Sequence, residues 1–159
     1  TDMERIRQEL EKLICYCMEK ESITEEDVAV ICSEQTENKI FDMINAMAEK
    51  KQKKAMELYY DLLALKEPPM RILYLITRQF NLLMQVKELS EEGYSAKTIS
   101  ERLKMAGFIV RNCLRQAEYF SLKTLKEALQ DCVRMEEAVK TGRMNDVMSV
   151  ELLLVKYSS

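Results

Sequence analysis

Apolar residues recur along this chain at spacings of three and four and nowhere in sustained alternation, a pattern that predicts helices throughout and no strands. Ile6, Leu10, Leu13, Ile14 and Cys17 share one face of a helix over 3–20. Thr24 reads as an N-cap with Asp27 in an acidic first turn, and predicts a short helix over 25–31. The polar run 32–37 (CSEQTE) interrupts the pattern and is the candidate domain boundary. A helix over 38–49 follows, with Ile40, Phe41, Ile44, Met47 and Ala48 inward. Lys50, Lys51, Gln52 and Lys53 break it, and a further helix over 53–65 carries Met56, Tyr59, Tyr60, Leu62 and Leu63.

Pro68 and Pro69 stop that helix and start the longest one, over 69–91. Its length is about 33 Å at the standard rise. Apolar positions from Ile72 to Leu89 cover more than one stripe, which places it in the middle of a bundle. Gly93 ends it as a left-handed C-terminal residue. Ser95 caps a helix over 96–105, Gly107 punctuates, and a helix over 108–120 follows. Ser121 caps one over 122–141, closed by Gly142; Asn145 or Asp146 then caps the last, which carries Val150, Leu152, Leu153, Leu154 and Val155. No repeat of 30 to 45 residues is evident, which weighs against a solenoid. The expected fold class is all-α, a helical bundle.

Composition agrees: three glycines and two prolines in 159 residues leave long stretches without a helix breaker. The net charge of −3 is too small to imply a polyanion partner for the whole chain. It is unevenly spread, with 12 acids and 5 bases over residues 1–42 against 8 bases and 4 acids over 71–115. The middle of the chain is therefore the part suited to an anionic partner. Five scattered cysteines and no histidine predict buried thiols in a reducing compartment, no metal site and no cofactor. The charged start from Asp2 does not read as a signal peptide, and no run approaches the ~20 apolar residues of a membrane span, so a cytoplasmic location is expected. The pattern begins mid-stride at Thr1, as in a fragment cut from a longer protein.

No catalytic constellation is visible. Glycines at 93, 107 and 142 cannot form a phosphate loop, and acidic neighbours such as Glu136 and Glu137 point to different parts of a helix surface. The chain reads as no enzyme. Residues 95–118 have a helix-turn-helix pattern, with Arg111 and Arg115 on one face and Asn112 and Gln116 beside them. Such residues suit base edges in a major groove, which makes a helix-turn-helix DNA-binding protein the alternative reading. In an ordinary bundle the same arginines would be solvated or pair with Glu118. Arg78 and Gln79 lie within the most apolar helix and need partners, inside the bundle or on another subunit, and Lys87 shares their face. The cluster Lys50, Lys51, Lys53 and Lys54 reads as a solvated junction between helices.

The stretches KIFDMINA (Lys39–Ala46), RQFNLLMQVKEL (Arg78–Leu89), AEYFS (Ala117–Ser121) and VKTGRMNDVMSVELLLVK (Val139–Lys156), in this order and spacing, resemble the C-terminal part of the delta subunit of bacterial DNA polymerase III. ELEKLICY (Glu9–Tyr16) and ITEEDV (Ile23–Val28) are similar to the end of that family's preceding domain. The resemblance implies two pieces. Residues 1–33 would be the tail of a helical lid domain of the AAA+ type, and 38–159 a helical collar domain that packs into a ring with other collars. It implies a non-catalytic assembly role in the clamp loader that places the sliding clamp on primed DNA. The partners implied are the gamma/tau and delta prime subunits through the collar. The sliding clamp would be met only by an N-terminal domain that this sequence does not contain. Arg78, Gln79 and Lys87 are then candidates for the subunit interface. The family's loop after the penultimate helix can lie near primer–template DNA, which makes Lys140 and Arg143 DNA-proximal candidates; Arg111 and Arg115 join them from the helix-turn-helix pattern. That loop (Thr141 to Met144) holds no aromatic to stack on a base.

Overall fold

The computed structural model describes residues 25–159 and, apart from them, Gln8. The helix predicted over 3–20, the Thr24 cap, and Cys15 and Cys17 otherwise lie outside the described residues. The chain divides into two compact units, Thr1–Lys39 and Ile40–Ser159. Among the described residues there are seven helices and no strand.

The first described helix, α1, runs unbroken from Glu25 to Ala48. The break predicted at 32–37 is absent because CSEQTE contains neither glycine nor proline. Glu34 and Glu37 are exposed there while Thr36 is buried, so the run lies on a helix with one solvated face rather than in a loop. The helix ends where Lys50 takes a left-handed conformation (φ 60°). The amides of Lys50 and Lys51 turn back onto Met47 and Ala46 at 3.1 and 2.8 Å, satisfying carbonyls that the helix end leaves open.

Helix α2 (Gln52–Ala64) ends the same way, with Lys66 at φ 63° and the Glu67 amide 3.1 Å from the Leu62 carbonyl. A side chain in this region strains its own backbone, and glycine does not. Lys66→Gly is therefore expected to raise stability by about 0.5–1 kcal/mol, read as a higher denaturant midpoint at unchanged slope.

Helix α3 (Pro69–Glu91) starts on proline in its first turn and has its bounds where the sequence predicts them. It is the axis of the second unit: α4 (Ala96–Leu103), α5 (Gly107–Ala117), α6 (Leu122–Lys140) and α7 (Asp146–Ser158) all pack against it, and α2 packs against α7. Ile72, Ile76, Phe80, Leu83 and Val86 of α3 are fully buried. They meet Tyr59 and Leu62 of α2, Val110 of α5, Leu125 and Ala128 of α6, and Val150, Leu153 and Leu154 of α7 in one core cluster, to which Met43, Ile44 and Met47 also belong. The Phe80 ring stands edge-on to Phe120 at 5.9 Å and lies 6.2 Å from Tyr157.

The helix starts follow their caps. The Ser95 and Ser121 hydroxyls accept from the amides of Thr98 and Thr124. The Asn145 side chain accepts from the amides of Val147 and Met148. Gly93 (φ 97°) and Gly142 (φ 76°) occupy the left-handed turns predicted for them. Gly107 instead is the first residue of α5.

Candidate functional site

Two polar clusters bind the helices of the bundle to each other. The first centres on Gln116 of α5, which is only 1% exposed. Its amide nitrogen donates to the Phe41 carbonyl at 3.0 Å and to Asn45 Oδ1 at 2.8 Å. Its oxygen accepts from Gln79 Nε2 at 2.9 Å. A buried amide costs free energy unless its donors and acceptor are matched, and here they are. Nearby, Lys87 Nζ donates at 3.2 Å to the Ala117 carbonyl at the end of α5, which also accepts from the Phe120 amide. Gln79 and Lys87 thus turn inward, tying α3 to α5. Gln116, placed beside Arg115 on an outward face by the sequence pattern, is part of this interior and unavailable to base edges.

The second cluster centres on Asp131 of α6, a buried carboxylate. It accepts from Lys156 Nζ and from the Tyr157 hydroxyl, each at 2.5 Å, while Arg134 lies 3.5 Å from its other oxygen. Burial alone would push this carboxyl up. The hydrogen bonds from Lys156 and Tyr157 and the charges of Lys156 and Arg134 outweigh that effect and hold it below the usual carboxylate range. The Tyr157 hydroxyl is raised, first by burial and then by the Asp131 carboxylate it serves. Sequence periodicity gave no sign of this cluster, because its members lie 25 and 26 residues apart.

Little here suits covalent or metal chemistry. The chain has no histidine, and among the described residues no group of three Cys, Asp or Glu could hold a metal ion. Cys113 and Cys132 are buried free thiols. Burial raises both, Cys132 to about 11, so the thiolate is scarce at neutral pH. No described helix is long and apolar enough to cross a membrane.

The distinctive features lie on the outside. Along α3, Arg71, Tyr74, Arg78 and Asn81 are spaced three and four apart and are all exposed, forming the one strip of that helix left uncovered. Tyr74 is 64% exposed. Arg78 therefore does not sit at depth as its apolar neighbours imply; it stands on this strip. Arg71 is paired with Glu67 at 3.5 Å. A second strip runs down α5 through Phe108, Arg111, Asn112 and Arg115 and continues to Tyr119, all of them exposed. Helices α4 and α5 do follow one another across a short turn, as the pattern of 95–118 predicts. Beside this strip a cleft of about 210 Å³ is lined by Phe41, Asn45, Glu49, Asn112, Arg115 and Tyr119, with Gln116 and Glu118 completing it. A third strip, Met148, Leu152 and Val155, is apolar and exposed on α7. At the end of α6, Lys140 pairs with Glu136 at 2.7 Å, and in the turn that follows Arg143 is exposed. The interface candidates are therefore divided between interior and surface, while the DNA-proximal candidates are all exposed. Tyr74, Phe108 and Tyr119 were missed because an aromatic at helical spacing reads first as core.

Residues 37–157 match the family described as the DNA polymerase III delta subunit, C-terminal domain. The chain is 34% identical over 151 residues to the DNA polymerase III subunit delta of Bacillus subtilis, covering 95% of this chain and 44% of that protein. It is also similar to the solved structure of the Bacillus subtilis DNA clamp loader delta protein (YqeN), with 33% identity and a TM-score of 0.77, again over 95% of this chain and 44% of that one. The chain thus spans less than half the length of these relatives. An all-α bundle, the match over most of its length and the agreement with a solved delta protein have one reading: the chain belongs to the family of DNA polymerase III delta subunits, whose C-terminal domain it contains.

Proposed function

We propose that this chain is the assembly module of a clamp-loader delta subunit. In this reading residues 38–159 are a helical collar that docks against the collars of gamma/tau and delta prime subunits, and residues 1–33 are the end of the helical lid domain before it. The sliding clamp is engaged by a domain outside this sequence. The module performs no chemistry of its own. It works in the cytoplasm, as part of the loader that places the clamp on primed DNA.

The observation that carries the proposal is the strip Arg71, Tyr74, Arg78 and Asn81 on α3. Its helix packs against four others, yet one line of it is open and holds a tyrosine and two arginines. Tyrosine and arginine are the residue types that dominate the energetics of protein interfaces, because each combines a large contact area with directed hydrogen bonds. Gln79 and Lys87 serve the same surface from behind, by fixing α3 against α5. Lys140, at the end of α6, and Arg143, in the exposed turn after it, stand where this reading puts primer–template DNA.

Co-elution tests the proposal. Mixed with the remaining loader subunits, the purified chain is expected to shift to an earlier size-exclusion volume and elute with them. Separate elution at micromolar concentrations would overturn the assignment.

A further inference from the structure

The cleft between α1 and α5 is lined by hydrogen-bond donors that have no partner among the described residues. It holds about 210 Å³ and has Phe41 and Tyr119 among its walls. The Gln116 nitrogen donates to the Phe41 carbonyl, so the Asn45 atom 2.8 Å from that nitrogen is the amide oxygen. The Asn45 amide hydrogens are left for whatever enters the cleft. Asn112 and Arg115 line it as well, and both are exposed. Among the described residues Arg115 makes no ion pair, and neither do Lys97, Arg102, Lys104 and Arg111, whereas Lys51, Arg71, Arg134, Lys140 and Lys156 each do. These five cations are all exposed. Against them residues 95–115 hold Glu101 alone, a net +4 within a chain of −3. In the first turn of α5, Phe108 is 60% exposed with Ile109 exposed beside it, an apolar spot next to the positive one.

From this juxtaposition we infer that the α1–α5 cleft and the outer face of α5 together dock an acidic peptide segment of a partner protein. One carboxylate of the segment enters the cleft, where the Arg115 guanidinium and the amides of Asn112 and Asn45 donate to it. An apolar residue of the same segment packs on Phe108 and Ile109. The other cations of residues 95–115 attract further acids along it. The two anchor points set a spacing. Phe108 and Arg115 are seven residues apart, about 10 Å along the helix axis. An extended peptide covers that distance in about three residues. The rim favours a peptide over a nucleic acid strand. Glu49, held by Lys51 at 2.7 Å, and Glu118 also line the cleft. A strand charged at every phosphate meets their repulsion, while a single carboxylate between them meets donors. The inference does not depend on subunit docking through α3, and its test requires no other subunit.

The test is an amide NMR titration of the whole isotope-labelled chain with a synthetic peptide of four aspartates, two glycines and a leucine. This order puts the leucine three residues from the last aspartate. Shifts are expected at the side-chain amides of Asn45 and Asn112 and at the backbone of Phe108 and Ile109, a readout that needs no variant. Exchanging the aspartates for asparagines should abolish binding. Arg115→Ala should weaken it about tenfold or more, as loss of a charge-assisted hydrogen bond requires. Exchanging the peptide's leucine for serine should cost the unmodified chain about fivefold, and Phe108→Ala less than about twofold, because the two residues are partners. Helical circular dichroism verifies that the variants fold. The inference is overturned by absent binding at millimolar peptide, by equal binding of the asparagine peptide, by no coupling between the leucine and Phe108, or by shifts confined to other elements. It is equally overturned if an oligothymidylate of matching charge shifts the same amides at lower concentration than the peptide, which would make this a face for nucleic acid.

Discussion

Phe80→Ala is expected to destabilise the domain by about 3–5 kcal/mol, the largest effect of any single truncation in the bundle. Phe80 sits at 0% exposure on the axial helix α3, and its ring meets Phe120, in the turn before α6, and Tyr157, in the last turn of α7. Removing it therefore opens a cavity where α3, α6 and α7 meet, and the rigid packing of three helices cannot close it by a local shift. It also removes the edge-to-face contact with Phe120, worth about 0.5–1.5 kcal/mol beyond area alone. Since domains of this size are stable by ~5–15 kcal/mol, a large part of the total is at stake. Urea unfolding should show a lower midpoint at unchanged slope. Phe80→Leu, which keeps much of the volume, should cost about 1–2 kcal/mol. A loss under 1 kcal/mol for the alanine variant would mean that α3 is not the axis described.

Asp131→Ala is the second large effect, about 2–4 kcal/mol, because it strands the buried Tyr157 hydroxyl and removes the acceptor of Lys156. Lys156 itself is half exposed and can recover water, which keeps the cost below that of breaking a fully buried pair. The pH dependence has a definite sign. The folded carboxyl titrates below its unfolded value near 4, so its contribution is fully present above that value and is lost as pH falls through the folded one. The stability difference between the wild type and Asp131→Asn should accordingly be constant from about pH 5 upward and shrink as the solution is acidified below about pH 4. Thermal or urea unfolding across pH 2.5–7 measures it, and a difference that persists at the acid end would contradict the assigned geometry.

Much of the fold was legible because its signals are local. Proline at 69, glycines at 93 and 142, and the side-chain caps Ser95, Ser121 and Asn145 each act within one turn, and each appears where the pattern predicts. The error at 32–37 has the same origin in reverse: a polar run lowers the apolar signal without supplying anything to stop a helix. Lys50, Lys66 and Lys104 close three helices in left-handed conformations that sequence reasoning reserves for glycine, so the manner of closing was not legible, although the ends lie within two residues of those expected at 49, 65 and 105. The site was less legible, since it depends on which face of each helix the others leave open. Arg78 was placed at depth by its apolar neighbours, although one outward strip survives the packing of four helices around α3. Gln116 gave a usable signal that was passed over: it lies three residues from Cys113 and next to Ala117 on the inner face of α5. Its partners Gln79 and Asn45 are 37 and 71 residues away and follow only from the tertiary fold.

The assembly role rests on the open strip of α3, and isothermal titration of the chain against the remaining clamp-loader subunits measures that dependence directly. Tyr74→Ala/Arg78→Ala should weaken the association about 30-fold or more, as the loss of interface anchors worth ≥ ~2 kcal/mol requires, with the unfolding midpoint unmoved. Affinity preserved within about twofold in that variant would contradict the account.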